Sequence, residues 1–407
     1  MPPANTVGAT DAWSRFKLDK HRDFCDVGGG IRMGHGQGLV DFAGRLCHPR
    51  STTHTDKFMR PEQWQLFKAA AKRENPRGPI PVSLIVDCPW IPPYCGVGQW
   101  DYFFDVETWF RCNVQVQRDF PDVIWFPSWW SEVGMGAEPS ALGPRLRFNR
   151  SRVPDVEPLP FPMERLAELT LPDPRTDGFM ALCLYRYEKL KQRIADEGFI
   201  VPVVAARGPL TIASFFRGVT GLMEDIVDHP ERTMQLLSLA ADLGIGWLRA
   251  QAEVLGDSVE GILVLDDLAG FIGRKHYQQF AHPFLKRYCD AFPAHWVKVF
   301  HNDANVTACI DLIPDAGFDV LNWGLDLTMK QACERLGGRM TLMGNVPPLA
   351  LGVRGTPEEN YAAARQALAD AAGHPLILSL GGATTTGVTP ENVRALARAA
   401  RDFNAQR

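Results

Sequence analysis

Apolar residues in this chain fall into short, nearly unbroken runs separated by longer stretches with apolar positions at helical spacing. Eight runs have the length and composition of strands buried on both faces: Val82–Asp87, Val123–Trp130, Val201–Ala206, Gly261–Asp267, Val297–Asp303, Val320–Trp323, Met340–Val346 and Leu376–Leu380. Between them, segments such as Pro230–Gly256, His276–Ala291, Val306–Ala316, Leu327–Leu336 and Pro357–Ala372 carry the 3.6-residue pattern of amphipathic helices. Strand and helix in strict alternation require a parallel sheet with right-handed crossovers. Eight such units predict closure into a (β/α)8 TIM barrel over residues 61–407. A doubly wound open sheet is the rival, disfavoured because no dinucleotide fingerprint follows the first strand. Residues 1–60 lack this alternation. They read as an extension packed on or over the barrel, with glycines at Gly28–Gly30 and Gly34, Gly36 and Gly38 but no strand before them to make a phosphate loop.

The strand pattern also says where chemistry belongs. In such a barrel the C-terminal strand ends form the working mouth, and seven of these apolar runs finish on or run into polar side chains. The first ends at Asp87 and Cys88, and the second runs into Trp129, Trp130 and Glu132. The third leads to Arg207, the fourth ends in Asp266-Asp267, and the fifth ends in His301-Asn302-Asp303. Asn322 lies in the sixth and Asn345 in the seventh, while the eighth ends in Gly381-Gly382. Each Asp or Asn alone is as well explained as a helix cap. The recurrence points to a pocket.

His301 and Asp303 stand two apart on one strand, so both face the same side. They can share a divalent ion or a proton, or Asp303 can orient the imidazole. Of the adjacent pair Asp266-Asp267, one alone can enter the mouth directly. Arg207 suits an anionic substrate group, or a salt bridge in the rim. Tyr94, Trp129 and Trp130 lie in aromatic segments that suit either the wall of a flat ligand or a packed lid.

Bulk properties narrow the class. The 43 basic and 47 acidic residues leave a net charge of -4 with no basic run, which argues against nucleic acid. No apolar stretch reaches transmembrane length and no secretory signal is evident, so a cytoplasmic enzyme without membrane attachment is expected. The nine scattered cysteines include no CxxC pair and are expected as free thiols.

Several segments in order resemble the uroporphyrinogen decarboxylase superfamily, which includes zinc methyltransferases acting on corrinoid proteins or coenzyme M. They are Gly208-Pro209-Leu210-Thr211-Ile212-Ala213 with His229-Pro230-Glu231; Asp266-Asp267 through Pro283; His301 through Asp319; Leu342–Pro348 with Gly355–Glu359; and Leu378–Gly382 with Thr389–Val393. Two departures stand out. The arginine-rich N-terminal segment of true uroporphyrinogen decarboxylases has no counterpart beyond the stretch around Arg32. The methyltransferase pattern His-x-Cys-Gly is here His301-Asn302-Asp303-Ala304, and the closing-segment position of a further Cys, or of His in the decarboxylases, is Gly382.

The resemblance implies a methyltransferase passing a methyl group from a small methylated substrate to a corrinoid protein or a thiol. His301, Asp303 and Asp267 would be catalytic, with His301 and Asp303 holding zinc or a harder divalent ion. Arg207, Asp266, Asn322, Asn345, Trp129, Trp130, Glu132 and Tyr94 would line the substrate. Glu132, Asp267 and Asn345 by position, and Cys88 and Cys95 by type, could complete a ligand set. A homodimer is compatible with this picture. Decarboxylation of a non-porphyrin acid, with Arg207 gripping the carboxylate, and a catalytically silent ligand-binding barrel stay open.

Overall fold

The computed structural model describes residues 61–407 apart from Asp87 and Pro160. The N-terminal extension, its glycines, Arg32 and Asp87 therefore lie outside the described residues. Each of the eight apolar runs contains a parallel strand. These are β1 (Ser83–Ile85), β2 (Ile124–Phe126), β5 (Val203–Arg207), β6 (Gly261–Leu265), β7 (Val297–Asn302), β8 (Val320–Trp323), β9 (Thr341–Val346) and β10 (Leu376–Leu380), with β3 (Arg145–Arg147) and β4 (Asp155–Glu157) forming an antiparallel hairpin after β2. Strands β5 to β10 pair in sequence order, β1 pairs with β2, and a bridge from Val82 to Leu378 joins β1 to β10. The strands make a TIM barrel. No backbone ladder joins β2 to β5 among the described residues; side chains cross that seam instead.

The period of two explains the interior. Val203 and Ala205, Leu263 and Leu265, Val297 and Val299, Val320, Met343 and Ile377 point inward and pack as one cluster. Their alternates Val204, Ile262, Val264, Phe300, Leu321, Leu342 and Leu378 face the surrounding helices. Following the inward stripes upward, the next positions are Arg207, His301, Asn322, Asn345 and Ser379. The inner face thus turns polar at the last layer of five strands, and that layer is the floor of the mouth. At the opposite end, helix Pro61–Ala71 seals the barrel with Trp64, Phe67 and Ala71. Phe67 stacks on Phe126 with centroids 4.8 Å apart. Trp64 Nε1 and Lys68 Nζ both donate to Glu260, just before β6, and Lys72 pairs with Asp319, just before β8.

Differences from the expected elements have local causes. The run Val123–Trp130 stops as a strand at Phe126: Pro127 has no N–H for a ladder, and Ser128 and Trp129 take positive φ (73° and 50°). The segment Val306–Ala316 is two 3-10 pieces, not one α-helix, and Pro314 sits inside the second. The helix expected over His276–Ala291 contains a π-turn, Tyr277–Ala281. Met329–Leu336 and Pro357–Asp370 both start on capping boxes, Thr328 with Gln331 and Thr356 with Glu359.

Seven described cysteines are free thiols. Burial pushes Cys183 and Cys309 up to about 12 and Cys333 up to about 11. At pH near 8 a thiolate, the reactive form, is scarce at these three positions. Peptide mass spectrometry after iodoacetamide treatment should find them unlabelled in native protein and labelled after denaturation. Rapid native labelling of Cys183 would contradict the packing of helix Met180–Asp196.

Candidate active site

Three side chains converge at the mouth. His301 is the last inward residue of β7, 3% exposed. Asp267 begins the 3-10 turn after β6, and Asp303 follows β7. One ligand atom from each lies within 4.8 Å of the other two. Nε2 of His301 is 3.7 Å from Asp267 Oδ1 and 3.9 Å from Asp303 Oδ2. Both distances exceed a hydrogen bond, about 3.2 Å at most. The Asp303 N–H donates to Asp267 Oδ1 at 3.1 Å, tying the two loops together. Asn302 shapes the same turn: its amide donates to Asp266 O and its Oδ1 accepts from Ala304 N. Desolvation, then the facing Asp267 carboxylate, raise the Asp303 pKa above its ordinary value, while His301 acts in the opposite direction.

Gly382 borders this cluster. A Cβ at this position would come 3.1 Å from Asp303 Oδ2 and 3.2 Å from Asp303 Cβ. Its φ of 106° disfavours any L side chain. The closing-segment position therefore faces the carboxylate and contributes no donor of its own.

The remaining sequence-predicted residues divide. Arg207 ends β5 pointing to the mouth but is 5% exposed and already paired. Its guanidinium donates to Glu132 Oε2 at 2.8 Å and Gly134 O at 3.2 Å and lies 4.8 Å from the Trp130 ring. Glu132 also accepts from Cys88 Sγ at 3.6 Å. Arg207 and Glu132 thus form a buried pair across the β2/β5 seam, and Trp130 is packed on it. Of the two readings of Arg207, the structure shows the salt bridge in the rim, and Glu132 and Cys88 stand outside the His301 cluster. Asn345 donates to Leu327 O at 3.2 Å and sits beside Gly381, on the rim.

Four assignments to the substrate wall are corrected. Asp266 is fully buried and turned away from the mouth. Its carboxylate accepts from Leu210 N, Thr211 N and Thr211 Oγ1, capping the helix Pro209–Arg217. Gly208 makes this possible, since a Cβ there would stand 2.4 Å from Asp266 Cβ. Trp129 is 1% exposed, and its positive φ turns it into a cluster with Trp109, Phe110 and Phe199. Asn322 is 0% exposed, beneath His301, and cannot touch a ligand. Tyr94 stacks on Trp90 and donates to Asp119 in the helical layer. Cys95 lies there too, its Sγ 3.7 Å from Cys112 O.

Sequence reasoning missed two buried charges that brace the wall. Glu138 accepts from the Arg207 backbone N–H at 2.8 Å. Arg186, 1% exposed, donates to Phe103 O, Ser131 Oγ and Glu132 O. Arg186 lies at a core position of a helix, a mismatch with its charge that the helical pattern of residues 180–196 does contain.

A family model described as uroporphyrinogen decarboxylase (URO-D) matches residues 130–403. The chain belongs to the uroporphyrinogen decarboxylase family. A protein of that name from Methylococcus capsulatus is 27% identical over 309 residues, 70% of this chain and 78% of that protein. Another, from Syntrophotalea carbinolica, is 28% identical over 201 residues, 47% of this chain and 57% of that protein. The solved structure of a methyltransferase from Methanosarcina mazei superposes with a TM-score of 0.70 at 21% identity, over 85% of this chain and 99% of that one. The last match shows the shared fold. Both sequence relatives carry the name of a decarboxylase. Among the described residues, no helix is long and apolar enough to cross a membrane.

Proposed function

We propose that this member of the family is a methyltransferase of the methyltransferase-like branch, with a divalent cation held by Asp267, His301 and Asp303. It takes the methyl group of a small methylated substrate and passes it to a corrinoid on a separate protein or to a thiol. The observation that carries this reading is the convergence of one imidazole and two carboxylates beside Gly382.

The spacing fits a shared ion. Ligands at about 2.1 Å from a tetrahedral metal stand about 3.4 Å apart. The 3.7 and 3.9 Å separations here are near that edge and too long for direct hydrogen bonds. The donors are one nitrogen and two carboxylates, harder than the His-Cys-Cys pattern of the resembled methyltransferases, which favours zinc or a harder divalent ion. Gly382 supplies no further ligand and leaves an approach for substrate.

When bound, the cation supplies Lewis acidity to the heteroatom that gives up the methyl group. The protein does the rest. His301 presents Nε2 from the rigid end of β7, and the Asp303 N–H holds Asp267 in register. The Arg207–Glu132 pair, each nearly buried, cancels charge on the adjacent wall, and Trp130 adds an apolar face to it. This wall suits a substrate without a carboxylate at that point. For the alternative, decarboxylation, Arg207 would have to exchange Glu132 for the substrate; the names of the sequence relatives are its support.

The test is elemental analysis of purified full-length protein with transfer assays. About one divalent ion per chain is expected, lost on replacing Asp267 or His301. Methyl transfer from small methyl donors to free cob(I)alamin, followed by its absorbance, is expected in the same preparations. Metal-free protein that releases CO2 from a small carboxylic acid would overturn this reading in favour of the decarboxylase. Uroporphyrinogen should not be converted to coproporphyrinogen, since the arginine-rich segment that meets its many carboxylates is missing; ready conversion would defeat that expectation.

A further inference from the structure

We propose that Asn322 is a positioning residue that locks the neutral His301 ring in the Nδ1–H tautomer, so that Nε2 turns a lone pair toward Asp267 and Asp303. Its benefit to cation binding rests on the proposed function above; the tautomer itself does not.

Asn322 stands in register between His301 on β7 and Met343 on β9. Its Nδ2 donates to Met343 O at 2.8 Å and to Leu380 O at 3.1 Å. Both partners are backbone carbonyls, which only accept. The amide therefore has one workable orientation. Flipped, its oxygen would face two carbonyl oxygens in a site without solvent exposure, losing two hydrogen bonds and leaving acceptors opposed.

With Nδ2 fixed, Oδ1 must be the atom facing the imidazole, and it lies 2.7 Å from His301 Nδ1. A carboxamide oxygen only accepts, so Nδ1 must carry the hydrogen. In the neutral ring the other nitrogen is then bare. One carboxamide thus links β7, β8, β9 and β10 and converts the fixed positions of two carbonyls into the protonation pattern of the site. A histidine without such a partner exchanges its hydrogen between both nitrogens, and in one of those forms Nε2 would aim an N–H at the place where a ligand atom is needed.

The experiment is long-range proton–nitrogen NMR of full-length protein labelled with 15N-histidine and freed of metal with chelator. His301 is one of ten histidines and is assigned by the signals missing from His301→Ala. The pH is raised until the ring carries a single hydrogen, and that form is read. Wild type should show His301 with Nδ1 protonated and Nε2 bare. Asn322→Leu removes the acceptor and should show both tautomers, with affinity for zinc or manganese ions alone falling about 10–100-fold. Asn322→Asp keeps an acceptor oxygen but loses both donors. It should melt earlier yet retain the Nδ1–H tautomer, a result that a merely structural role would not separate from Asn322→Leu. Nε2–H or mixed tautomers in wild type, or in Asn322→Asp, would overturn the proposal, as would an unchanged tautomer in folded Asn322→Leu. If Asn322→Leu does not fold, wild type and Asn322→Asp decide. A correct tautomer in a protein that binds no cation would sink the cation reading and leave this inference standing.

Discussion

Asp303→Ala and His301→Ala should each lower turnover by roughly a hundredfold or more, with very different effects on melting. Asp303 stands half exposed at the mouth, so its replacement should leave the melting temperature almost unchanged. His301 is buried against Asn322. Removing it orphans the Asn322 oxygen and should cost about 1–3 kcal/mol, a melting shift of a few degrees in a chain that still folds. Turnover and thermal melting measured side by side check this. Full activity in both variants would remove the pair from the mechanism. Collapse of the His301 variant together with an active Asp303 variant would make the histidine a brace for the rim.

Asp266→Ala should do the reverse, unfolding readily while its folded fraction stays active. The substitution strands two buried backbone N–H groups, Leu210 and Thr211, and the Thr211 hydroxyl. A loss of roughly 3–5 kcal/mol follows from unsatisfied donors and the missing helix cap, and denaturant unfolding checks it. The pH dependence has a definite sign. Burial raises the Asp266 carboxyl from 3.8 to about 7. A group whose folded pKa is raised contributes fully below its unfolded value and loses that contribution as pH climbs through the folded one. The stability advantage of wild type over Asp266→Asn should therefore shrink between about pH 4 and pH 7. A widening gap over that window would show that the carboxylate is the better-tolerated form.

These two aspartates mark the boundary of what the sequence can reveal. Alternation along the chain was enough to place eight strands and to put His301 and Asp303 at a strand end. It also required Asp266 and Asp267 to diverge. Which of them turned inward was decided by a helix N-terminus fifty-five residues upstream and by the lack of a side chain at Gly208, both tertiary facts. Trp129 was misread for a similar reason: two positive-φ residues break the period of the strand and send it to the core. Arg207 did reach the mouth, but its partner Glu132 belongs to another strand's loop, and pairing across 75 positions leaves no local trace. Asn322 read as a pocket residue because strand periodicity gives direction and says nothing of depth.

The seam between β2 and β5 gives this barrel a preferred place to come apart. Among the described residues, backbone ladders join β1 to β2 and β5 through β10, and a single bridge joins β1 to β10; at the β2/β5 seam the clasp includes the Arg207–Glu132 pair, the Arg207 N–H to Glu138 bond and the Arg207 guanidinium on Gly134 O. Side-chain contacts let go singly, whereas a ladder resists as a unit, so the lowest-energy partial opening should run along this line. Deuterium should reach the amides flanking the seam before those of β6 to β9. The opening would also unroof the wall of the mouth formed by Trp130, Arg207 and Glu132, so the integrity of the site would depend on side-chain contacts rather than on a ladder.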